Sequence, residues 1–476
     1  MSLFRVMTCV TAGVGWMAAG LSIAAETTRP NVLILLTDDQ RADTIGALGN
    51  PVIQTPALDS LARSGFVFDN AYCLGSNVPA VCLPSRNMLL SGRAYFRWSG
   101  PQAPADQPNL PVSFNAAGYE TYHHGKRGNS ALLIQEKFNT NKYLRDDLDR
   151  RAGGAPGKTI VDDAIEFLKR RPTDRPFCMY LGFSNPHDPR VAAPRYLELY
   201  RREQIPLPPS LMPLHPFDNG EQLVRDELLA PWPRTSDEIR RHLHEYYAVI
   251  TGLDQQIGRL LKTLDDLRLR ENTIVVFSSD NGLALGGHGL MGKQSLYDHS
   301  AQVPLIFTGP GVKPGRSDAL VYLLDIFPTL CELAGIALPD NLDGKSVAPV
   351  MRNEQKRVRD TLFLAYRDVQ RAVRDARWKL IRYPHIDRIQ LFDLRSDPHE
   401  MRDLSGRPEQ VERIAALMSE LKGWQRRLGD STPLIVETPA DAGFTPPTGE
   451  ELDKLLSRWK MKAPAANVES AGDPSR

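Results

Sequence analysis

The sequence has few of the features that define several large classes of protein. It contains only five cysteines among 476 residues and no Cys-x-x-Cys pair, which excludes a disulfide-built scaffold and disfavours a thiolate-held zinc site. Lysine and arginine together number 58 against 57 acidic residues, so the formal net charge is only +1 and argues against a nucleic-acid binder driven by overall charge. There are no internal repeats. The hydrophobic content of 42% is ordinary for a globular protein, and the length allows one large domain and one smaller domain.

Long apolar runs are also missing, with one exception at the N-terminus. Arg5 precedes a run of apolar and small residues over 6–25, which ends in Ser22-Ile23-Ala24. This pattern predicts a signal peptide over residues 1–25 that is cleaved after Ala24 or Ala25. The alternative is an uncleaved membrane anchor, since about twenty apolar residues can span a bilayer. We favour cleavage and expect an exported protein, periplasmic or extracellular, that has no membrane contact afterwards.

Apolar runs of strand length alternate with amphipathic segments along most of the chain. The runs over 32–36, 177–183 and 273–277 are continuously apolar, which is typical of strands buried on both faces of a parallel sheet. Shorter strands are predicted over 66–68, 119–122 and 303–307, and helices over 158–171 and about 238–269. The pattern therefore predicts an α/β fold over residues 26–354, with a large mixed, mostly parallel sheet sandwiched by helices.

The pattern changes near residue 351. Three consecutive antiparallel strands are predicted over 362–365, 378–381 and 390–394, and a helix follows over 408–428. We interpret residues 355–430 as a small C-terminal α+β subdomain and 431–476 as a partly disordered tail with one weak helix near 450–459. The proline-rich segment over 189–236 is either a lid over a site or a surface excursion.

Polar side chains follow three of the predicted buried strands. Asp38 and Asp39 come directly after the first strand, His187 follows the strand at 177–183, and Asp280 and Asn281 follow the strand at 273–277. Because the carboxyl ends of parallel strands share one edge of a sheet, these residues should converge there. Carboxylate and amide oxygens are hard ligands that suit Ca²⁺, with Mg²⁺ possible. The alternative for the aspartate pair is a helix cap.

One short stretch combines a cysteine, a proline and an arginine at the start of a predicted helix. Cys82-Leu83-Pro84-Ser85-Arg86 leads into an apolar turn that ends in Ser91-Gly92-Arg93. Proline suits a first helical turn and glycine suits a helix end, so residue 82 should lie at a helix N-terminus, where an anion is favoured. The alternative is a buried structural cysteine.

This stretch resembles the sulfatase signature, C-x-P-S-R followed by an apolar run and S/T-G-R/K, and matches it at every defined position. The resemblance covers about residues 30–404 and implies an alkaline-phosphatase-like fold. It also implies that a formylglycine-generating maturation enzyme oxidises Cys82 to formylglycine. The hydrate of that aldehyde would attack the sulfate ester and later expel sulfate by collapsing to the aldehyde.

The resemblance also implies roles for the residues at the strand ends. Asp38, Asp39, Asp280 and Asn281 would bind the divalent metal, usually calcium, with residue 82 completing the shell. Arg86, together with Lys126 of Gly125-Lys126 and Lys293 of Gly292-Lys293, would hold the sulfate, and His187 would donate a proton to the leaving alcohol.

One position departs from the family pattern. Sulfatases commonly carry a histidine two residues after the lysine of the Gly-Lys motif, but Lys126 is followed by Arg127, Gly128 and Asn129. His123, His124 or Asn129 could replace it.

For the substrate, export and the basic character of residues 352–388 suggest a sulfated glycan, although a sulfated small molecule is also open. The alternative functions are a phosphate monoesterase or diesterase of the same superfamily and an inactive carbohydrate-binding relative.

Overall fold

The computed structural model describes residues 29–145 and 152–461. The predicted signal peptide lies outside the described residues. Within the described part of the chain, none of the helices has both the length and the apolar character that crossing a bilayer requires.

The described residues form an α/β fold with two sheets. The strands are β1 Asn31–Asp38, β2 Phe66–Tyr72, β3 Gly75–Ser76, β4 Glu120–Gly125, β5 Thr140–Tyr143, β6 Phe177–Pro186, β7 Thr273–Ser279, β8 Gln302–Val303, β9 Leu305–Thr308, β10 Gly315–Tyr322, β11 Leu362–Tyr366, β12 Gln370–Arg374, β13 Trp378–Tyr383 and β14 Arg388–Asp393. The α-helices are α1 Pro56–Ser64, α2 Cys82–Ser91, α3 Leu110–Ala116, α4 Leu132–Gln135, α5 Lys158–Arg170, α6 Pro194–Leu197, α7 Ser236–Asp266, α8 Asp298–Ala301, α9 Ile326–Leu333, α10 Ala348–Met351, α11 Val411–Leu428 and α12 Gly449–Arg458.

The large sheet has the strand order β10-β2-β9-β7-β1-β6-β4-β5, with β8 paired to β2. The central strand β1 is buried at every position and runs parallel to both of its neighbours, β6 and β7. Its side chains alternate between two cores: Ile34 packs in the cluster that contains Leu89 of α2, whereas Leu35 packs in the cluster that contains Ile257 of α7. Helices therefore cover both faces, and the predicted fold class is confirmed.

The predicted strand over 303–307 is divided into two in the structure. Pro304 separates β8 from β9, because proline has no N–H to donate to the sheet ladder. Both segments pair antiparallel with β2, which makes this side of the sheet mixed.

The second sheet has the order β14-β13-β12-β11-β3. Its last strand comes from far upstream: β3 lies just before α2 and pairs in parallel with β11. Gly75 has a φ of 119°, and a Cβ at this position would overlap the carbonyl oxygen of Ala365, so only glycine fits this junction. This pairing joins residues on either side of the domain boundary that we propose near residue 355.

The segment after α11 packs back onto the proline-rich segment. The N–H of Asp218 donates to the carbonyl of Ala442 at 2.7 Å, and the ring of Phe444 lies 6.0 Å from that of Trp232. Residues 431–461, which the sequence places in a tail, thus contact the body of the protein and end in α12.

Candidate active site

The ends of β1 and β7 and the start of α2 bring three carboxylates and one cysteine to one point. Thr37 on β1 is in register with Ser279 on β7, so the residues that follow both strands are neighbours. The N–H of Asp39 donates to Oδ1 of Asp280 at 3.2 Å. Ligand atoms of Asp38, Asp39, Cys82 and Asp280 all lie within 4.8 Å of one another, and each of these residues is buried. The predicted convergence of these strand ends is therefore observed.

The donor set of this cluster fits a hard divalent cation. The Asn281 amide nitrogen donates to Oδ1 of Asp280 at 2.8 Å, whereas its buried carbonyl oxygen has no hydrogen-bond partner among the described residues. A buried amide oxygen without a partner is costly unless a ligand satisfies it. Three carboxylates and this oxygen match the ligands that Ca²⁺ and Mg²⁺ prefer.

Three cationic side chains surround the carboxylates. Nε of Arg86 lies 2.8 Å from Oδ2 of Asp280, and its Nη2 lies 3.4 Å from Oδ2 of Asp38. Nζ of Lys293 lies 2.6 Å from Oδ1 of Asp39, and Lys126 contacts Asp38. These three cations balance the three carboxylates, so a bound divalent cation would leave an excess of positive charge that favours an anionic substrate.

The crowded charges move the pKa values of the carboxyl groups apart. Burial alone would raise the pKa of Asp38, but Lys126 and Arg86 outweigh it and hold that pKa well below its usual range. Burial, together with the negative charge of Asp38, raises the pKa of Asp280 to about 6. Two carboxylates this close do not ionise together easily without additional positive charge.

Cys82 begins α2 in the middle of this cluster. Its Sγ lies 3.1 Å from Oδ1 of Asp38 and 3.2 Å from Nζ of Lys293. Burial, with the charges of Asp280 and Asp38, raises the pKa of the thiol well above its usual value. The unmodified side chain is therefore a neutral thiol at physiological pH and a weak nucleophile.

His187 faces the same cluster from the end of β6. Its Nδ1 lies 2.7 Å from the carbonyl oxygen of Asp188, which can only accept, so Nδ1 carries a hydrogen. Its Nε2 lies 3.8 Å from Oδ2 of Asp39. His187 and Lys293 also line a cavity of about 530 Å³, which places this cavity next to the carboxylate cluster.

Of the three candidates to replace the missing histidine, only Asn129 lines this cavity. His123 lies within the sheet layers, with Nδ1 at 2.7 Å from Asn141 Oδ1 and its ring stacked on Tyr180. Burial lowers the pKa of His123 to about 3. His124 points to the other face of the sheet, where its Nδ1 lies 3.4 Å from Oδ2 of Asp163.

The cavity also contains residues that sequence reasoning missed. Arg225 from the proline-rich segment binds both carboxylate oxygens of Asp188, the neighbour of His187. Arg367 in the turn between β11 and β12, and Arg458 and Trp459 at the end of α12, line the cavity as well. No local motif marks these positions, because they reach the site only through the tertiary fold.

The described residues have an alkaline-phosphatase-like architecture, and their buried carboxylates and cations form a site that suits an anionic ester. The phosphonate monoester hydrolase of Agrobacterium radiobacter has the same fold, with a TM-score of 0.71 at 21% identity, covering 87% of this chain and all of that one. The family described as Sulfatase matches residues 30–336, and the family described as N-sulphoglucosamine sulphohydrolase, C-terminal, matches residues 286–427. The chain belongs to the sulfatase family and is an enzyme that hydrolyses sulfate esters.

Individual relatives agree with this assignment. The chain is 28% identical to the N-acetylglucosamine-6-O-sulfatase of Bacteroides thetaiotaomicron, over 88% of this chain and 92% of that protein. It is 30% identical to the ulvan-active sulfatase of Formosa agariphila, over 81% of this chain and 78% of that protein. A protein solved in complex with its substrate D-glucosamine-2-N,6-O-disulfate superposes with a TM-score of 0.74 at 25% identity, covering 86% of this chain and 99% of that one.

Proposed function

We propose that this sulfatase removes a sulfate ester from a sulfated carbohydrate, with a formylglycine made from Cys82 as its nucleophile and a calcium ion in the carboxylate cluster. The observation that carries the proposal is the position of Cys82, whose Sγ lies within hydrogen-bond distance of both Asp38 and Lys293. A neutral thiol at this point is a weak nucleophile, whereas the hydrate of an aldehyde would place a hydroxyl beside the same carboxylate and ammonium groups.

The metal ligands in this proposal are Asp38, Asp39, Asp280 and Asn281, with residue 82 completing the set. Their oxygen donors suit calcium, and magnesium is the alternative. A bound cation would polarise the sulfate group and stabilise the negative charge that develops during transfer.

The cationic residues divide into two kinds: Arg86 is wholly enclosed, whereas Lys126 is partly exposed and Lys293 reaches the cavity. The Arg86 side chain has no exposed surface and forms ion pairs with Asp280 and Asp38. We therefore propose that Arg86 orients these two ligands and neutralises part of their charge. The side chain of Lys126 keeps 11% of its surface exposed, and Lys293 lines the cavity. These two ammonium groups would hold the sulfate oxygens and stabilise the transition state.

His187 would protonate the leaving alcohol from Nε2. The hydrogen on Nδ1 is fixed by the Asp188 carbonyl, so the proton that is transferred must come from Nε2, which requires the doubly protonated ring. Asn129 lies in the same cavity and would contact residue 82 or the sulfate in place of the histidine found in other sulfatases.

The substrate proposal rests on the relatives and on the size of the cavity. A volume of about 530 Å³ accommodates a sugar residue, and the relatives named above act on sulfated sugars or on ulvan. Residues 1–25 would direct export and then be removed. Because Cys82 is only 1% exposed in the folded protein, the maturation enzyme would have to act before folding is complete.

The test is sulfate release by protein that is co-produced with a formylglycine-generating enzyme. We expect hydrolysis of sulfated saccharides at a higher kcat/KM than a small aryl sulfate, loss of activity on calcium chelation, and no activity in Cys82→Ala. If the aryl sulfate is hydrolysed better than every saccharide, the carbohydrate proposal is wrong. Binding of saccharides by calcium-loaded, fully converted protein that releases no sulfate would instead support the inactive carbohydrate-binding relative.

A further inference from the structure

The C-terminal helix α12 brings an arginine and a tryptophan to the active-site cavity. Arg458 is the last residue of α12, and Trp459 follows it; both line the cavity together with His187 and Lys293. The segment is held in place by the buried side chain of Leu456 and, upstream, by the hydrogen bond between Ala442 and Asp218. The end of the described chain is therefore part of the wall of the cavity.

The cations of this cavity differ in whether a carboxylate already neutralises them. Three of them are paired: Lys293 with Asp39, Arg225 with Asp188 and Asp226, and Arg367 with Glu221. Arg458 has no carboxylate partner among the described residues, and its guanidinium carbon lies 5.7 Å from the centroid of the Trp459 ring. An unpaired guanidinium in a cavity that binds an anionic substrate is free to form a bidentate contact with a second anion.

Trp459 adds a flat apolar surface beside this charge. Its side chain is 38% exposed, so one part of the indole is available to a ligand. Partly exposed aromatic rings of this kind present a large apolar area at a small entropic cost, which suits the face of a sugar ring.

We propose that Arg458 and Trp459 form a second subsite that binds a further anionic group, sulfate or carboxylate, and the ring of the saccharide that carries it. This inference rests on the proposed carbohydrate sulfatase function and narrows it to saccharides with at least two anionic groups. Arg458 sets the preference for the second charge, and Trp459 contributes to binding of the sugar whatever its charge.

The test compares three substrates on the full-length, converted, calcium-loaded enzyme: a neutral saccharide with one sulfate, the same saccharide with two sulfates, and a monosulfated saccharide that contains a uronate. We expect Arg458→Gln to raise KM by about tenfold or more for the two doubly anionic substrates, because the variant loses a charge-assisted hydrogen bond to their second anionic group. The KM for the neutral saccharide with one sulfate should stay nearly unchanged, because that substrate has no second anionic group. The two doubly anionic substrates separate a sulfate-binding subsite from a carboxylate-binding one. We expect Trp459→Ala to raise KM for all three.

The matched control is Lys454→Gln. Lys454 lies on the same helix and pairs with Glu450 at 2.7 Å, but it does not line the cavity, so its loss removes one positive charge without touching the subsite. Its kinetics should equal those of the wild type. The proposal would be overturned if Arg458→Gln raised KM equally for singly and doubly anionic substrates, or if it raised KM for neither.

A binding measurement separates this inference from the proposed function. Calorimetric titration of the Cys82→Ala variant with the doubly sulfated saccharide requires no turnover, and adding Arg458→Gln should weaken the affinity by about tenfold or more. If the wild type hydrolyses none of the sulfate esters, the proposed function fails, whereas an unchanged affinity in the double variant refutes the subsite alone.

Discussion

His187→Gln should lower kcat/KM for sulfate ester hydrolysis, and the decrease should be larger for poorer leaving groups. Nε2 of His187 points toward the carboxylate cluster, 3.8 Å from Asp39, and the glutamine amide that replaces it cannot donate a proton as an acid. A positioned general acid contributes about 10²- to 10⁴-fold to the rate, or about 3 to 5 kcal/mol of transition-state stabilisation. We therefore expect kcat/KM for an alkyl or sugar sulfate to fall by that factor.

The structure also predicts that this substitution costs little stability. The His187 side chain is 20% exposed, and removing it leaves no buried charge unpaired, since Asp39 keeps Lys293 at 2.6 Å and Asp188 keeps Arg225. The loss should be that of one hydrogen bond, about 0.5–1.5 kcal/mol.

The assay is the ratio of kcat/KM for a sugar sulfate to that for an aryl sulfate whose phenol leaves readily as the anion. Because an easily released phenolate needs no proton, kcat/KM of the variant for the aryl substrate should fall by less than about tenfold. Equal losses on both substrates would refute the role of His187 as the acid. Urea denaturation of the same protein checks that the variant is folded.

Three further predictions concern the charges of the site. Arg86→Met should lower the free energy of unfolding by about 3–5 kcal/mol in urea, because it leaves the buried carboxylates of Asp38 and Asp280 without their guanidinium partner; a change below about 1 kcal/mol would contradict the pairing. Calcium at about 100 times its dissociation constant should stabilise the wild type by about 2.7 kcal/mol. Because Asn281→Ala removes one ligand oxygen, this variant should need more calcium for the same shift in melting temperature. If the variant and the wild type need the same calcium concentration, Asn281 is not a ligand. The contribution of Asp280 to the stability of the metal-free protein should fall as the pH rises from about 4 through about 6, because burial and the charge of Asp38 raise its pKa to about 6 in the fold, above its ordinary value of 3.8; the difference in unfolding free energy between the wild type and Asp280→Asn, measured at several pH values, should show this decline without calcium and little of it with calcium.

The strands that carry the site were predictable because their sequences are unambiguous. The apolar runs over 32–36 and 273–277 appear as β1 and β7, and the polar residues after them meet because parallel strands end at one edge. The helix over Cys82–Ser91 also agrees with the sequence: Gly92 ends it with a φ of 65°.

Features that depend on distant contacts were not predictable in the same way. Strand β12, Gln370–Arg374, has two buried arginines in place of an alternating apolar pattern; Arg371 is neutralised by Asp430, which follows in sequence only after two more strands and a helix. The pairing of β3 with β11 involves two residues of each strand, and the only feature of the sequence that indicates it is one glycine, Gly75. Arg458 and Trp459 belong to a helix that is weak in the sequence, and the segment just before this helix contacts the proline-rich segment through Phe444 and Trp232.

Mass spectrometry of the tryptic peptide from Ser64 to Arg86 shows whether residue 82 is a formylglycine. The same preparations should be assayed for sulfate release, with and without co-production of a formylglycine-generating enzyme. We expect residue 82 to carry an aldehyde in place of the thiol, Cys73 in the same peptide to be unchanged, and activity to rise in proportion to the converted fraction. Full activity in a preparation whose Cys82 is entirely unmodified would contradict this expectation.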